Sequence, residues 1–207
     1  LSLGNAFNEE DLKNFEKKIV NFLSLKDAST IEYSAEPKID GISASLIYVK
    51  GKFEKGLSRG DGSEGEDITE NLKTIKDIPT LITDINFPEE IDIRGEVFIE
   101  NDSFKKLNDK FANPRNAASG SLRQKNSKVT SKIPLKFIAY THGYVKNMNI
   151  DNQIDFLKNL KLWGFKINPF NKKITNIKNL ISNHQNLEKK RQGIPFDIDG
   201  VVYKINS

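Results

Sequence analysis

Two strand-length runs, Ile42–Val49 and Lys52–Ser58, are separated only by Lys50-Gly51. A two-residue link ending in glycine joins strands as a tight antiparallel hairpin. The chain is thereby committed to antiparallel pairing, which argues against a doubly wound parallel sheet. A third strand pattern, residues 31–39, runs straight into this hairpin through Asp40-Gly41.

The other segments fit the same architecture. Asn8, followed by Glu9, Glu10 and Asp11, has the makings of an N-cap and an acidic first turn. Leu12, Phe15, Ile19, Phe22 and Leu23 then recur at helical spacing, predicting a helix to about residue 25. Short helices are expected at 67–75, 103–111 and 115–124, with Asn113-Pro114 dividing the last two. Strands are expected at 91–99, 135–145 and 198–205, and helices at 154–163 and 177–190. Along 91–99, Asp92, Arg94 and Glu96 form a polar face, and Ile91, Ile93, Val97 and Ile99 an apolar one. The stripe around Trp163 reads as core. No repeat or low-complexity linker interrupts the chain, so residues 1–207 read as one α+β domain with mainly antiparallel sheets flanked by helices.

Composition removes several function classes. The chain has 207 residues, a net charge of +4 and no cysteine. Disulfides and thiolate metal sites are excluded. No apolar run approaches the roughly 20 residues that cross a bilayer. No signal peptide is visible at the N-terminus, and a cytoplasmic location and a monomer are the expectations. His142 and His184 are distant in sequence and read as surface or turn residues, so no metal site is assigned. Between Asn113 and Lys132 five basic residues (Arg115, Arg123, Lys125, Lys128, Lys132) occur with no acidic one, among Asn, Ser and Gly that can donate to phosphate oxygens.

The chemistry is concentrated in Glu36-Pro37-Lys38-Ile39-Asp40-Gly41. In extended chain Glu36, Lys38 and Asp40 share a face. An amine is nucleophilic only when neutral, so a working lysine needs neighbours that shift its proton. Four more polar segments accompany it: Ser58-Arg59-Gly60-Asp61-Gly62-Ser63-Glu64-Gly65, Arg94-Gly95-Glu96-Val97, the run Asn113-Pro114-Arg115-Asn116-Ala117-Ala118-Ser119-Gly120-Ser121-Leu122-Arg123-Gln124, and Asp197-Ile198-Asp199-Gly200-Val201-Val202-Tyr203-Lys204. Asp61 and Glu64 read as turn formers, and Arg94 as a partner of nearby carboxylates.

Taken in this order, the five segments resemble the adenylation (nucleotidyltransferase) domain of NAD-dependent DNA ligases, over essentially the whole chain. The lysine, Arg-Gly-Glu and terminal segments are similar to those of ATP-dependent ligases and capping enzymes as well. The Gly-rich loop, the Asn113–Gln124 run and the opening Ser2-Leu3-Gly4-Asn5-Ala6-Phe7 resemble the NAD-dependent branch alone.

The resemblance implies the nucleotidyltransferase fold with a nucleotide cleft between its sheets. It implies that Lys38 attacks the α-phosphorus of NAD, releases nicotinamide mononucleotide and holds AMP as a phosphoramidate. AMP then passes to the 5′-phosphate of nicked double-stranded DNA in replication and repair, with Mg²⁺ assisting. Ser2, Leu3, Glu36 and Lys204 would lie near adenine, and Arg59 and Glu96 near the ribose. Asp40 and Asp199 would support catalysis, and Arg115, Arg123 and Arg191 would meet phosphates. Lys204 and Arg59 would also lie close enough to Lys38 to favour its neutral form. It further implies that the nicotinamide-binding module and the OB-fold, zinc-finger, helix-hairpin-helix and BRCT domains lie outside this chain, leaving the fragment impaired alone. Two other functions fit part of the pattern: an ATP-dependent nucleotidyltransferase of the RNA ligase or capping type, and a non-catalytic basic nucleic-acid-binding module.

Overall fold

The structure is a computed structural model that describes residues 3–59, 65–107 and 110–207. Two antiparallel sheets carry the described chain. The smaller contains β1 (Tyr33–Ile39) between β6 (Lys172–Ile174) and β7 (Ile198–Ile205). The larger has the order β3 (Lys52–Ser58), β2 (Ile42–Val49), β4 (Glu90–Phe98), β5 (Lys136–Lys146). Every strand pairing is antiparallel, as the hairpin requires. At that hairpin Lys50 and Gly51 have φ of 48° and 78°, the two positive values of a turn whose twist matches its strands. A side chain on Gly51 would collide with the Ile82 carbonyl.

Asp40-Gly41 is the corner where the chain leaves the small sheet for the large one. A Cβ at Gly41 would stand 2.3 Å from the Val97 carbonyl and 3.0 Å from Glu96 Cγ. Only glycine lets β2 begin this close to β4.

Helices cover the outer faces. The large core joins the large sheet (Leu46, Tyr48, Ile91, Ile93, Phe137) to Leu72 of α2 (Thr69–Leu72), Ala117 and Ala118 of α4 (Pro114–Leu122), and Phe156 and Leu160 of α6 (Gln153–Leu162). Trp163 is buried in it, as its stripe predicts. A second core packs Ile19 of α1 (Glu9–Phe22) and Leu180 of α7 (Ile177–Lys190) on Tyr33 and Ala35. A third ties the sheets together: Ile39 and Ile198 from the small one, Phe98 and Ile138 from the large one, with Ile194 and Phe196.

Several boundaries differ from the sequence expectation. The first helix stops at Phe22, not near 25. Ser24 takes a φ of 52°, and the amides of Ser24 and Leu25 donate back to the Asn21 and Val20 carbonyls, closing the helix. The segment expected as helix 67–75 is helical only over Thr69–Leu72, because the Asp67 carboxylate accepts from the Thr69 amide and hydroxyl and holds the chain in a turn. The 103–111 helix is displaced to α3 (Asn101–Lys105). β6 and α5 (Ser127–Thr130) went unforeseen, since three or four residues carry no readable period.

The Arg-bearing helix α4 is held from below. The Nδ2 of buried Asn71 donates to the Leu122 carbonyl and to the Gln124 carbonyl (3.0 Å), and the Thr130 hydroxyl to that of Ser121 (2.8 Å). Replacing Asn71 with Ala orphans two carbonyls at that helix end. The expected loss is about 2–3 kcal/mol of unfolding free energy, read by urea denaturation.

Candidate active site

The two sheets meet along a polar seam. From the small sheet come Glu36 and Lys38 of β1 and Asp199 and Lys204 of β7. From the large sheet come Ser43 of β2, Arg94 and Glu96 of β4 and Tyr140 of β5.

Lys38 lies near the end of β1, opposite Gly200 of β7. The register shifts immediately after it, from Lys38↔Gly200 to Ile39↔Ile198, leaving Asp199 as the extra residue of a β-bulge. Bulges turn a side chain out of the regular alternation. Here the Asp199 carboxylate lies 3.2 Å from Lys38 Nζ. The Lys38 side chain is half exposed, at 51%, so a ligand can reach it. The Asp40 amide donates to the Asp197 carbonyl at 2.9 Å, closing the corner. Arg115, in the first turn of α4, brings its guanidinium to 3.8 Å from the Asp40 carboxylate.

Glu36 is only 5% exposed and is richly bonded. It accepts from Ser34 Oγ (2.9 Å), Gln153 Nε2 (2.8 Å) and Lys204 Nζ (2.8 Å). A buried carboxylate survives only with such compensation. Gln153 and Lys204 also donate to the Tyr140 carbonyl, which carries the network onto the large sheet.

Glu96 is opposite Ser43 and accepts from its hydroxyl at 3.1 Å and from the Gly41 amide. Burial pushes its carboxyl up to about 7, assisted by the Asp199 charge and resisted by Ser43, Gly41 and Lys38. Tyr140 occupies a bulge of its own, because Arg94 pairs with Thr141 and Gly95 with Ala139. Its ring lies 5.5 Å below Lys204 Nζ, and burial pushes its phenol upward, with Arg59 and Arg94 near enough to oppose this.

The expected residues are therefore distributed unevenly. Glu36, Lys38, Asp40, Glu96, Arg115, Asp199 and Lys204 converge, and Arg59, at the end of β3, is within electrostatic reach of Tyr140. Lys204, expected near enough to Lys38 to act on its charge, makes its ion pair with another residue. Lys204 is opposite Ser34, four residues along β1, and its ammonium is engaged with Glu36. The group in contact with the Lys38 amine is an anion. Arg191 is a structural clamp here: it donates to the Ile198 carbonyl and lies 3.5 Å from Glu188, joining the end of α7 to β7. Arg123 stands exposed at the C-cap of α4. Leu3 is 59% exposed, and among the described residues no hydrogen bond of the seam reaches it. Ser2 and the loop residues Asp61 and Glu64 lie outside the described residues. Arg94 pairs with Asp92 at 3.0 Å, as expected of a structural arginine.

Sequence reasoning missed Ser43, Tyr140 and Gln153. Ser43 could have been found, since it is two residues past Gly41 and falls opposite Glu96 once β2 is paired with β4. Tyr140 is hidden by a bulge, and Gln153 by its position at the first turn of a helix otherwise read as core.

A model of the NAD-dependent DNA ligase adenylation domain matches residues 1–207. The chain is 79% identical over 206 residues to a DNA ligase of Pelagibacter ubique, covering all of this chain and 30% of that protein. It is 45% identical over 214 residues to a DNA ligase of Parvibaculum lavamentivorans and 41% over 215 to one of Geotalea uraniireducens, in each case along its whole length and over 30% and 32% of theirs. The chain belongs to the NAD-dependent DNA ligase adenylation domain family. It spans about 30% of the length of the curated relatives it matches. No helix of the described residues is long and apolar enough to cross a membrane.

The raised Glu96 carboxyl links stability to pH. The folded protein keeps that proton up to about pH 7, whereas an unfolded chain releases it near 4.5. The contribution is therefore full below pH 4.5, falls between 4.5 and 7 and stays low above. Glu96→Gln removes this dependence. The variant should melt a few degrees above wild type at pH 8, with the two melting temperatures converging at pH 4.5, read by calorimetry.

Proposed function

We propose that this chain is the nucleotidyl-transfer core of an NAD-dependent DNA ligase, with Lys38 as the nucleophile. The observation that carries the proposal is the half-exposed Lys38 amine 3.2 Å from Asp199, at the seam where buried carboxylates from both sheets gather. Support for a nucleotidyltransferase fold comes from this two-sheet arrangement and from the family to which the chain belongs.

Lys38 must shed a proton before its lone pair can attack, and Asp199 is the acceptor within reach. The amine then forms an N–P bond to the α-phosphorus of NAD. The phosphoanhydride bond breaks, and its electron pair leaves with nicotinamide mononucleotide. Lys38 now carries AMP. In the second transfer a DNA 5′-phosphate oxygen attacks the same phosphorus, and the N–P bond returns its electrons to the lysine.

The other groups suit an adenosine moiety. Glu36 and Lys204 set an acceptor beside a donor, the complement of the amine and ring nitrogen on one edge of adenine. Tyr140 offers an aromatic face next to them. Glu96 is an acceptor for a ribose hydroxyl with Arg59 nearby, and Arg115 and Arg123 are phosphate partners. Among the described residues no group of three or more acidic or histidine side chains is arranged to hold a metal ion. A Mg²⁺ ion would be held chiefly by substrate phosphates, with Asp40 and Asp199 of the seam as candidate carboxylates, and would offset phosphoryl charge. Nicked DNA as partner and the cytoplasm as compartment follow from the same role.

The test is an intact-mass and peptide-mapping assay of the protein carrying this domain, incubated with Mg²⁺ and either NAD or ATP. One AMP should appear on Lys38 with NAD alone, and Lys38→Ala should abolish it. Label on another residue, or labelling by ATP instead, would refute the assignment.

A further inference from the structure

Glu96 and Tyr140 reach the seam from β4 and β5, and a single hydroxyl joins them. Ser43 Oγ donates to Glu96 Oε2 at 3.1 Å, and the Tyr140 hydroxyl donates to Ser43 Oγ at 3.5 Å, a long bond. The polarity of this chain is dictated by chemistry. A hydroxyl has one proton, and an ionised carboxylate only accepts. Ser43 therefore donates its one hydrogen bond to Glu96 and has only lone pairs left for Tyr140. When Glu96 is neutral the direction is no longer imposed, and both side chains lose their fixed relation.

Building on the nucleotidyl-transfer role above, we propose that Ser43 is a positioning residue. It holds Glu96 as an anion turned along the seam and anchors the edge of the Tyr140 ring, so that a ribose acceptor and a base-stacking face keep a set separation. Every element packed against Glu96 bears on its charge. Gly41 at the β1–β2 corner donates an amide, Lys38 of β1 attracts, Asp199 of β7 repels, and Tyr140 of β5 approaches through Ser43. Arg59 and Arg94 act on the tyrosine. Of these, Ser43 alone contacts both Glu96 and Tyr140 by side-chain hydrogen bonds among the described residues.

The decisive experiment titrates the Glu96 carboxyl by ¹³C NMR and measures AMP affinity between pH 6 and 9, in wild type, Ser43→Ala and Ser43→Thr. In Ser43→Ala the Glu96 midpoint should rise by about half a unit to one unit. AMP affinity at pH 7 should fall by about 2–5-fold and recover toward pH 8.5. Ser43→Thr, which keeps the hydroxyl, should restore both. An unmoved midpoint, or an affinity loss equal at every pH, overturns the proposal. Should Ser43→Ala fail to fold, Ser43→Cys fills the same space with a weak donor, and its midpoint must rise for the proposal to stand. Absence of AMP binding by wild type at every pH would defeat the nucleotide role, while the Glu96 midpoint would still decide the Ser43–Glu96 bond.

Discussion

The corner at Asp40-Gly41 is the constraint from which the seam follows. One strand run passes from the small sheet to the large one with no room for a loop, and the glycine lets it pass within contact of Glu96. Lys38 is thereby fixed just before the corner and Ser43 just after it. Because β1 pairs with β7 and β2 with β4, those few residues also dictate which parts of distant strands arrive opposite the lysine. The third core, with apolar side chains from both sheets, backs the corner and keeps the sheets from hinging apart. Asn168, buried, donates to the Pro37 carbonyl at 3.1 Å where β6 has already ended. Proline, having no N–H, needs no further partner there.

Charge is handled differently at the two ends of the seam. Around Glu36 the structure supplies three donors, one of them a cation, so burial is compensated. Around Glu96 it supplies two donors against desolvation and a neighbouring anion, and compensation is incomplete. A group left short of partners has capacity for a ligand, and a ribose hydroxyl would supply the missing donor. Incomplete satisfaction at such a position costs stability, a common property of groups that act on ligands.

The strands were legible for physical reasons. Ile42–Val49, Lys52–Ser58 and Ile198–Ile205 match their expected limits because hydrophobic alternation and a two-residue turn leave no alternative register. α7 matches because Asn176 caps it and a 14-residue period is long enough to read. The short helices slipped, since local bonds such as Asp67 to Thr69 outweigh a weak helical preference. Among candidate site residues, Glu36, Lys38 and Glu96 were readable as polar residues on strand faces, whereas Asp199, turned out of the alternation by a bulge, was singled out only by the resemblance. The pairing Lys204 makes was not, because register decides it. Seen along the sequence, its spacing from Asp199 gives no sign that one meets Lys38 and the other Glu36.

That division of labour bears on how the lysine is controlled. The resemblance to the ligase family implied cations around Lys38. Instead a carboxylate meets the amine, and the cation four residues away is engaged by Glu36. Asp199 is delivered by a bulge, a local irregularity that can shift without disturbing β1 or the remainder of β7. Arriving phosphates would compete with Asp199 for the ammonium and bring their own negative charge beside the carboxylate. One extra residue in β7 thus sets an acceptor against the Lys38 amine and leaves Lys204 to Glu36.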